Sequence, residues 1–141
     1  MLEKYNEKIK IAFKNFPLSY HKFAIKAATG ALAAGSQGKF WEFHDLLFEN
    51  YNKLNDKKIG AIVQSLGLDE LEFEKSVKDP VLQHKVRQDL LDGQQAGVKG
   101  TPTVFINGRL LEEMTLRGFQ TAIDKELKKI GKNDSKPVSG N

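Results

Sequence analysis

The dipeptide Asn107-Gly108, set between Thr103-Val104-Phe105-Ile106 and Arg109-Leu110-Leu111, constrains the fold of this chain more than any other feature. Two apolar runs joined by Asn-Gly read as a β-hairpin, because a two-residue type I′ turn needs positive φ at both central positions and these residues supply it. The chain therefore carries an antiparallel pair close to its C-terminal end.

Upstream the pattern is different. Lys8-Ile9-Lys10-Ile11-Ala12-Phe13-Lys14 alternates polar and apolar positions, which predicts a strand with Ile9, Ile11 and Phe13 on one face, ended by Pro17. From Ser19 the spacing turns helical through Tyr20, Phe23, Ala24, Ala27, Ala28, Ala31 and Leu32, with a stop at Gly35. A second helix follows Gln37-Gly38 and carries the stripe Phe40, Phe43, His44, Leu47, Phe48 and Tyr51. A third opens near Asp56, buries Ile59, Ile62, Val63 and Leu66, and ends at Gly67.

Asp69 caps the fourth helix, with Glu72 answering it and Leu68 stapling onto Phe73. Asp79-Pro80 opens a fifth through Leu82, Val86 and Leu90 toward Gly97, with Gly93 weakening its last turn. After the hairpin, Thr115 caps a last amphipathic helix through Leu116, Phe119, Ile123, Leu127 and Ile130, terminated by Gly131. A polar tail over residues 132–141 is expected to be disordered. One strand, a helical block, a hairpin and a helix make an α/β or α+β domain with a large helical insertion.

Composition narrows the function. With 141 residues, 40% hydrophobic and 28% charged, the chain suits one soluble domain, and its apolar stretches fall well short of the roughly 20 residues a membrane-spanning helix needs. Met1 to Lys10 is charged from its third residue, which does not fit a signal peptide. The net charge of +4 comes from lysines scattered over every segment and dense only from Lys125 to Lys136, a solvated surface rather than a nucleic-acid footprint. There is no cysteine, which excludes a disulfide framework, a thiolate metal site, a catalytic cysteine and any redox couple built from the chain's own residues.

His21, His44 and His84 lack the spacing of a ligand pair, and Ser19, Ser36, Ser65 and Ser76 lack a nucleophile-elbow context. No catalytic residue, metal or cofactor is expected. Phe40, Trp41 and Phe43 have two readings, a surface for unfolded chains or core, and their helical spacing favours core.

Three stretches carry a family likeness: Lys14-Asn15-Phe16-Pro17-Leu18-Ser19-Tyr20-His21, then Gly38 to Phe48, and Gly97-Val98-Lys99-Gly100-Thr101-Pro102-Thr103-Val104-Phe105-Ile106-Asn107-Gly108. With the helical block between them they span almost all of Leu2 to Gly131, and they resemble the DsbA-like thioredoxin-fold family of thiol:disulfide oxidoreductases. The resemblance implies an α/β, partial thioredoxin-like domain over residues 1–131, with a helical insertion over about 19–96 and an incomplete sheet of about three strands. It further implies that Thr101-Pro102 is cis and that Gly100, Thr101 and Pro102 line a groove for extended or unfolded polypeptide substrates. An extracytoplasmic, periplasmic parent protein is implied as well.

The departure from the family is as informative. Such proteins carry a CxxC motif at the start of a helix after a first strand, where the helix terminus stabilises the attacking thiolate. Here both are missing, and Leu2 to Tyr5 matches the last turn of that helix. The chain thus resembles the portion bearing the cis-proline loop, not redox-active by itself. The alternative is a non-catalytic thioredoxin-like module for peptide binding or dimerisation. In the thioredoxin arrangement the absent strand lies between Ile9–Phe13 and Thr103–Ile106, so these are expected to pair directly or to exchange an element with a second copy, giving a homo-oligomer. Neither nucleic acid nor a membrane span is expected.

Overall fold

Five helices follow one another in the unit formed by residues 14–100: α1 (Ala24–Ser36), α2 (Phe40–Glu49), α3 (Asp56–Ser65), α4 (Glu70–Val77) and α5 (Pro80–Gln95). The computed structural model describes residues 2–133. Helix α1 packs against α2, α4 and α5, and its alanines allow close approach: Ala27, Ala31 and Ala34 are buried together with Phe43, Leu47, Ile59, Ile62, Val63 and Phe73. Gly30 belongs to the same contact, since a Cβ there would lie 3.3 Å from the Phe43 ring. Phe43 is 0% exposed, and burying such a side chain contributes about 1.5 to 3 kcal/mol.

Local signals set the helix ends. The side chains of Asn55, Asp69 and Asp79 accept from Lys58 N, Glu72 N and Val81 N, each at 2.8 Å. Leu68 and Phe73 are buried in one cluster, as a staple requires. Helix α1 starts at Ala24, because Ser19–Phe23 is taken up by turns, and it runs through Gly35 to Ser36 before the chain reverses at Gly38. The Gln37 side chain then grips Asp69, accepting from its N–H at 2.8 Å and donating to its C=O at 3.1 Å.

The second unit comprises residues 2–13 and 101–133. Strands β1 (Phe105–Ile106) and β2 (Arg109–Leu110) pair antiparallel, Phe105 opposite Leu110 and Ile106 opposite Arg109. Asn107 and Gly108 have φ of 48° and 77°, the two positive angles a type I′ turn needs. Helix α6 (Leu116–Asn133) packs on β1, capped by Thr115, whose hydroxyl accepts from Gly118 N at 3.0 Å. It continues past Gly131 to Asn133, and residues 134–141 of the expected tail lie outside the described residues. A 3-10 turn at Leu2–Tyr5 buries Tyr5, whose hydroxyl donates to Asp124 Oδ1 at 2.9 Å.

The domain is mostly helical with a small sheet, a partial thioredoxin-like fold with a helical insertion. One expected strand is not formed: among the described residues the sheet has two strands, and Ile9–Phe13 belongs to no ladder. Alternation gives a segment two faces but does not provide a partner, and Ile11, with no sheet to cover, is 51% exposed.

Candidate functional site

The segment singled out in the sequence begins where α5 ends. Gly97, at φ 79°, closes the helix by donating to Gln94 O at 3.1 Å, while Val98 N donates to Gly93 O at 2.9 Å. Only a residue at ease in the left-handed region reverses the chain so tightly. Gly100 is the last residue of the unit of residues 14–100, and Thr101 begins the second segment of the other unit. Thr101 and Pro102 are exposed, the peptide bond between them is cis, and the chain runs directly into β1. Thr101 makes no hydrogen bond among the described residues.

Beyond the loop, the hairpin is fixed to α6 by a charged contact. Glu126 accepts from Asn107 Nδ2 at 3.4 Å, is paired with Lys129, and lies 3.9 Å from Arg109 Nε. The Lys129 hydrogen bond, with smaller help from Asn107, holds its carboxyl below the usual glutamate range. Leu111 N donates to Val104 O at 2.8 Å and extends the hairpin by one pair toward the loop.

In the helical unit, the stretch Asn15-Phe16-Pro17-Leu18 is tied to α5 by a buried carboxylate that sequence reasoning missed. Asp89 is 2% exposed, accepts from Asn15 N at 3.0 Å and Asn15 Nδ2 at 3.1 Å, and pairs with Lys85, with Lys14 Nζ at 3.4 Å. Burial pushes its pKa up, but the hydrogen bonds from Lys85 and Asn15 outweigh it and leave the carboxyl below the usual aspartate value. The charge of Asp89 in turn raises Lys14. One turn on, Gly93 lies under Phe16: a Cβ there would meet the ring at 2.7 Å. The visible clue was the spacing Lys85, Asp89, Gly93, which places a cation, an anion and a gap on one face of α5.

The aromatic residues of α2 divide. Phe43 enters the core and Phe40 packs against it, whereas Trp41 is 48% exposed, which corrects the core expectation for that residue; Phe48, on the same stripe, is 62% exposed. The rings of Phe40, Trp41, His44 and Phe48 are in contact, with neighbouring centroids 4.6–6.0 Å apart. His44 Nδ1 lies 3.1 Å from Asp45 Oδ1. No helix among the described residues is long and apolar enough to cross a membrane.

Comparison with known proteins places this geometry in context. The family model described as the DSBA-like thioredoxin domain matches residues 1–124. Over 102 residues, 72% of this chain, it is 35% identical to a protein of Salinispora arenicola named Na(+)/H(+) antiporter NhaA 1, covering 16% of that protein. Over 130 residues, 86% of this chain, it is 31% identical to the probable disulfide bond formation protein D of Bacillus anthracis, covering 59% of it. The chain thus spans only part of either relative. Among solved structures, the thiol-disulfide exchange protein alpha-DsbA2 of Wolbachia pipientis superposes with a TM-score of 0.76 at 29% identity, over 84% of this chain and 66% of that one. A thioredoxin-like oxidoreductase of Silicibacter pomeroyi shares the fold, with a TM-score of 0.76 at 23% identity over 90% and 73% of the two chains.

Proposed function

The chain belongs to the DSBA-like thioredoxin domain family, and we propose that it supplies the polypeptide-binding loop of a thiol–disulfide exchange site without supplying the thiols. Gly100, Thr101 and Pro102 are the binding residues in this reading. An extended substrate segment lies along the exposed residue Thr101 and takes up its N–H and C=O groups, which make no hydrogen bond among the described residues, as an added strand does.

The observation that carries the proposal is the pairing of an exposed Thr101-Pro102 loop, leading straight into β1, with a sequence that contains no cysteine. Thiol–disulfide exchange proceeds by thiolate attack through a mixed disulfide, and a chain without sulfhydryl groups forms none. This chain therefore binds and does not exchange, and the full oxidoreductase reaction takes its cysteines from another segment or polypeptide. The relative named disulfide bond formation protein D supports an extracytoplasmic setting for that reaction. Likeness to the antiporter-named protein of Salinispora arenicola covers 16% of its length, and it is the DSBA-like domain, not ion transport, that we carry over.

The test is a titration of the isotope-labelled chain with a cysteine-free extended peptide, read by amide chemical shifts. Shifts concentrated at Gly100, Thr101, Thr103 and Val104 support the reading, and shifts confined to the helices of residues 24–95 overturn it.

A second reading, dimerisation, is favoured by a separate observation. The backbone of residues 9–12 makes no hydrogen bond among the described residues although its sequence alternates as a strand does. Pairing of this edge with a second copy satisfies those groups. Sedimentation equilibrium decides it: a mass that doubles with concentration supports dimerisation, and a constant monomer mass excludes it.

A further inference from the structure

Residues 9–13 lie between two fixed points. Before them, Lys8 N donates to Tyr5 O at 2.9 Å. After them, Lys14 is paired with Asp89 at 3.4 Å and Asp92 at 3.5 Å, and Asn15 N donates to Asp89 at 3.0 Å. Between these points the backbone of Ile9, Lys10, Ile11 and Ala12 makes no hydrogen bond among the described residues, and the segment enters no ladder. Its sequence alternates as a strand does, and Ile11 and Phe13 are 51% and 40% exposed. Free backbone groups beside exposed apolar side chains are the ingredients of strand addition.

A second copy brings the same segment, so symmetry and charge select the register. A parallel, in-register pair sets Lys10 against Lys10, and like charges directly opposite each other are destabilising. Antiparallel pairs related by a two-fold axis differ only in where the axis falls. An axis between two residues sets Lys10 against an apolar side chain and mixes the faces. An axis through Lys10 opposes two ammonium groups. One through Ile9 needs Glu7 and Lys8, which are taken up in a turn, and one through Ala12 or Phe13 draws in Asn15, whose N–H is held by Asp89. An axis through Ile11 uses the free stretch and no more: Ile11 faces Ile11, Ile9 faces Phe13, and Lys10 faces Ala12. Cross-strand pairs of aromatic and β-branched side chains are favourable.

Building on the dimerisation reading, we propose that two copies join antiparallel along residues 9–13 about a two-fold axis through Ile11. Lys10 of each copy lies opposite Ala12 of the other, so the pair forms without opposed charges. Ile9, Ile11 and Phe13 of both copies make one apolar face.

The chain has no cysteine, so single cysteines report the register without background. Cysteine is placed in turn at positions 9 to 13 of the full chain, and disulfide-linked dimer is followed under mild oxidation. Only a residue on the axis faces its own copy; one step away, the two Cα atoms are displaced about 7 Å along the strands, which puts them beyond disulfide reach. Ile11→Cys is expected to link about tenfold faster than any other single variant, while Ile9→Cys mixed with Phe13→Cys links across the two variants but not within either. Ile11 is exposed, so Ile11→Cys is expected to fold, and circular dichroism confirms it. Uniform rates at the five positions, or fastest linkage at any position but 11, overturn the proposal. Sedimentation of the unaltered chain separates the two readings. A concentration-dependent dimer with linkage elsewhere removes this register alone, whereas a monomer mass at every concentration removes dimerisation with it and leaves the edge to a strand of another polypeptide.

Discussion

Asn15 donates twice to one carboxylate oxygen of Asp89, from its backbone N–H at 3.0 Å and its side-chain amide at 3.1 Å, although 74 positions separate the two residues. Both are buried. The contact fixes the Asn15–Leu18 segment to α5, and removing the acceptor leaves a buried donor without a partner. We expect Asp89→Ala to destabilise the protein by about 2 to 3 kcal/mol, measured as a lower urea midpoint at unchanged m-value. An unchanged midpoint contradicts the assignment.

The same carboxylate sets an acid limit. Its pKa in the folded protein is below the ordinary value, so its contribution is fully present above the unfolded pKa, near 4, and is lost as pH falls through the folded pKa. The difference in unfolding free energy between wild type and Asp89→Asn is therefore constant well above the unfolded aspartate pKa and shrinks as pH falls below it. A difference that widens on acidification refutes this sign.

Gly93 offers a test in which two effects oppose. Alanine in a helix interior gains up to about 1 kcal/mol over glycine, but its Cβ would approach the Phe16 ring to 2.7 Å. An aromatic ring in a packed site gives way at a cost of about 1 to 3 kcal/mol, so Gly93→Ala is expected to be net destabilising. Pairing it with Phe16→Leu should recover part of the loss. Stabilisation by Gly93→Ala alone would show that Phe16 moves freely.

Gln37 is only half-buried yet makes two hydrogen bonds to the backbone of Asp69, the capping residue of α4. Gln37→Ala is expected to cost about 1 kcal/mol and to speed hydrogen exchange of the α4 first turn more than that of α3. Equal acceleration across both helices would contradict a local role.

The sequence made these elements legible wherever the signal was local. Asp69, Asp79 and Thr115 cap the helices they were expected to cap, and Asn107-Gly108 turns the hairpin, because caps and turns are decided within four residues. Ile9–Phe13 failed as a strand for the opposite reason: alternation is local, but a ladder needs a partner elsewhere in the chain. Asp89 carries no local signal of its own and Gly93 reads only as a weakening of the last turn, because their meaning comes from Asn15 and Phe16, far away in sequence. Trp41 shows how narrow the margin is on a helix stripe. It sits two positions from Phe43, and that rotation separates solvent from core.

The central claim is that the Thr101-Pro102 loop binds extended polypeptide without any thiol. The most direct measurement is fluorescence anisotropy of a labelled, cysteine-free extended peptide titrated with wild type and with Thr101→Arg, a substitution at an exposed position that crowds the loop. The account predicts saturable binding to wild type that weakens about tenfold or more in Thr101→Arg, a loss of about 1.4 kcal/mol. Binding of equal strength to both proteins, or no saturation by wild type at millimolar concentration, would contradict it.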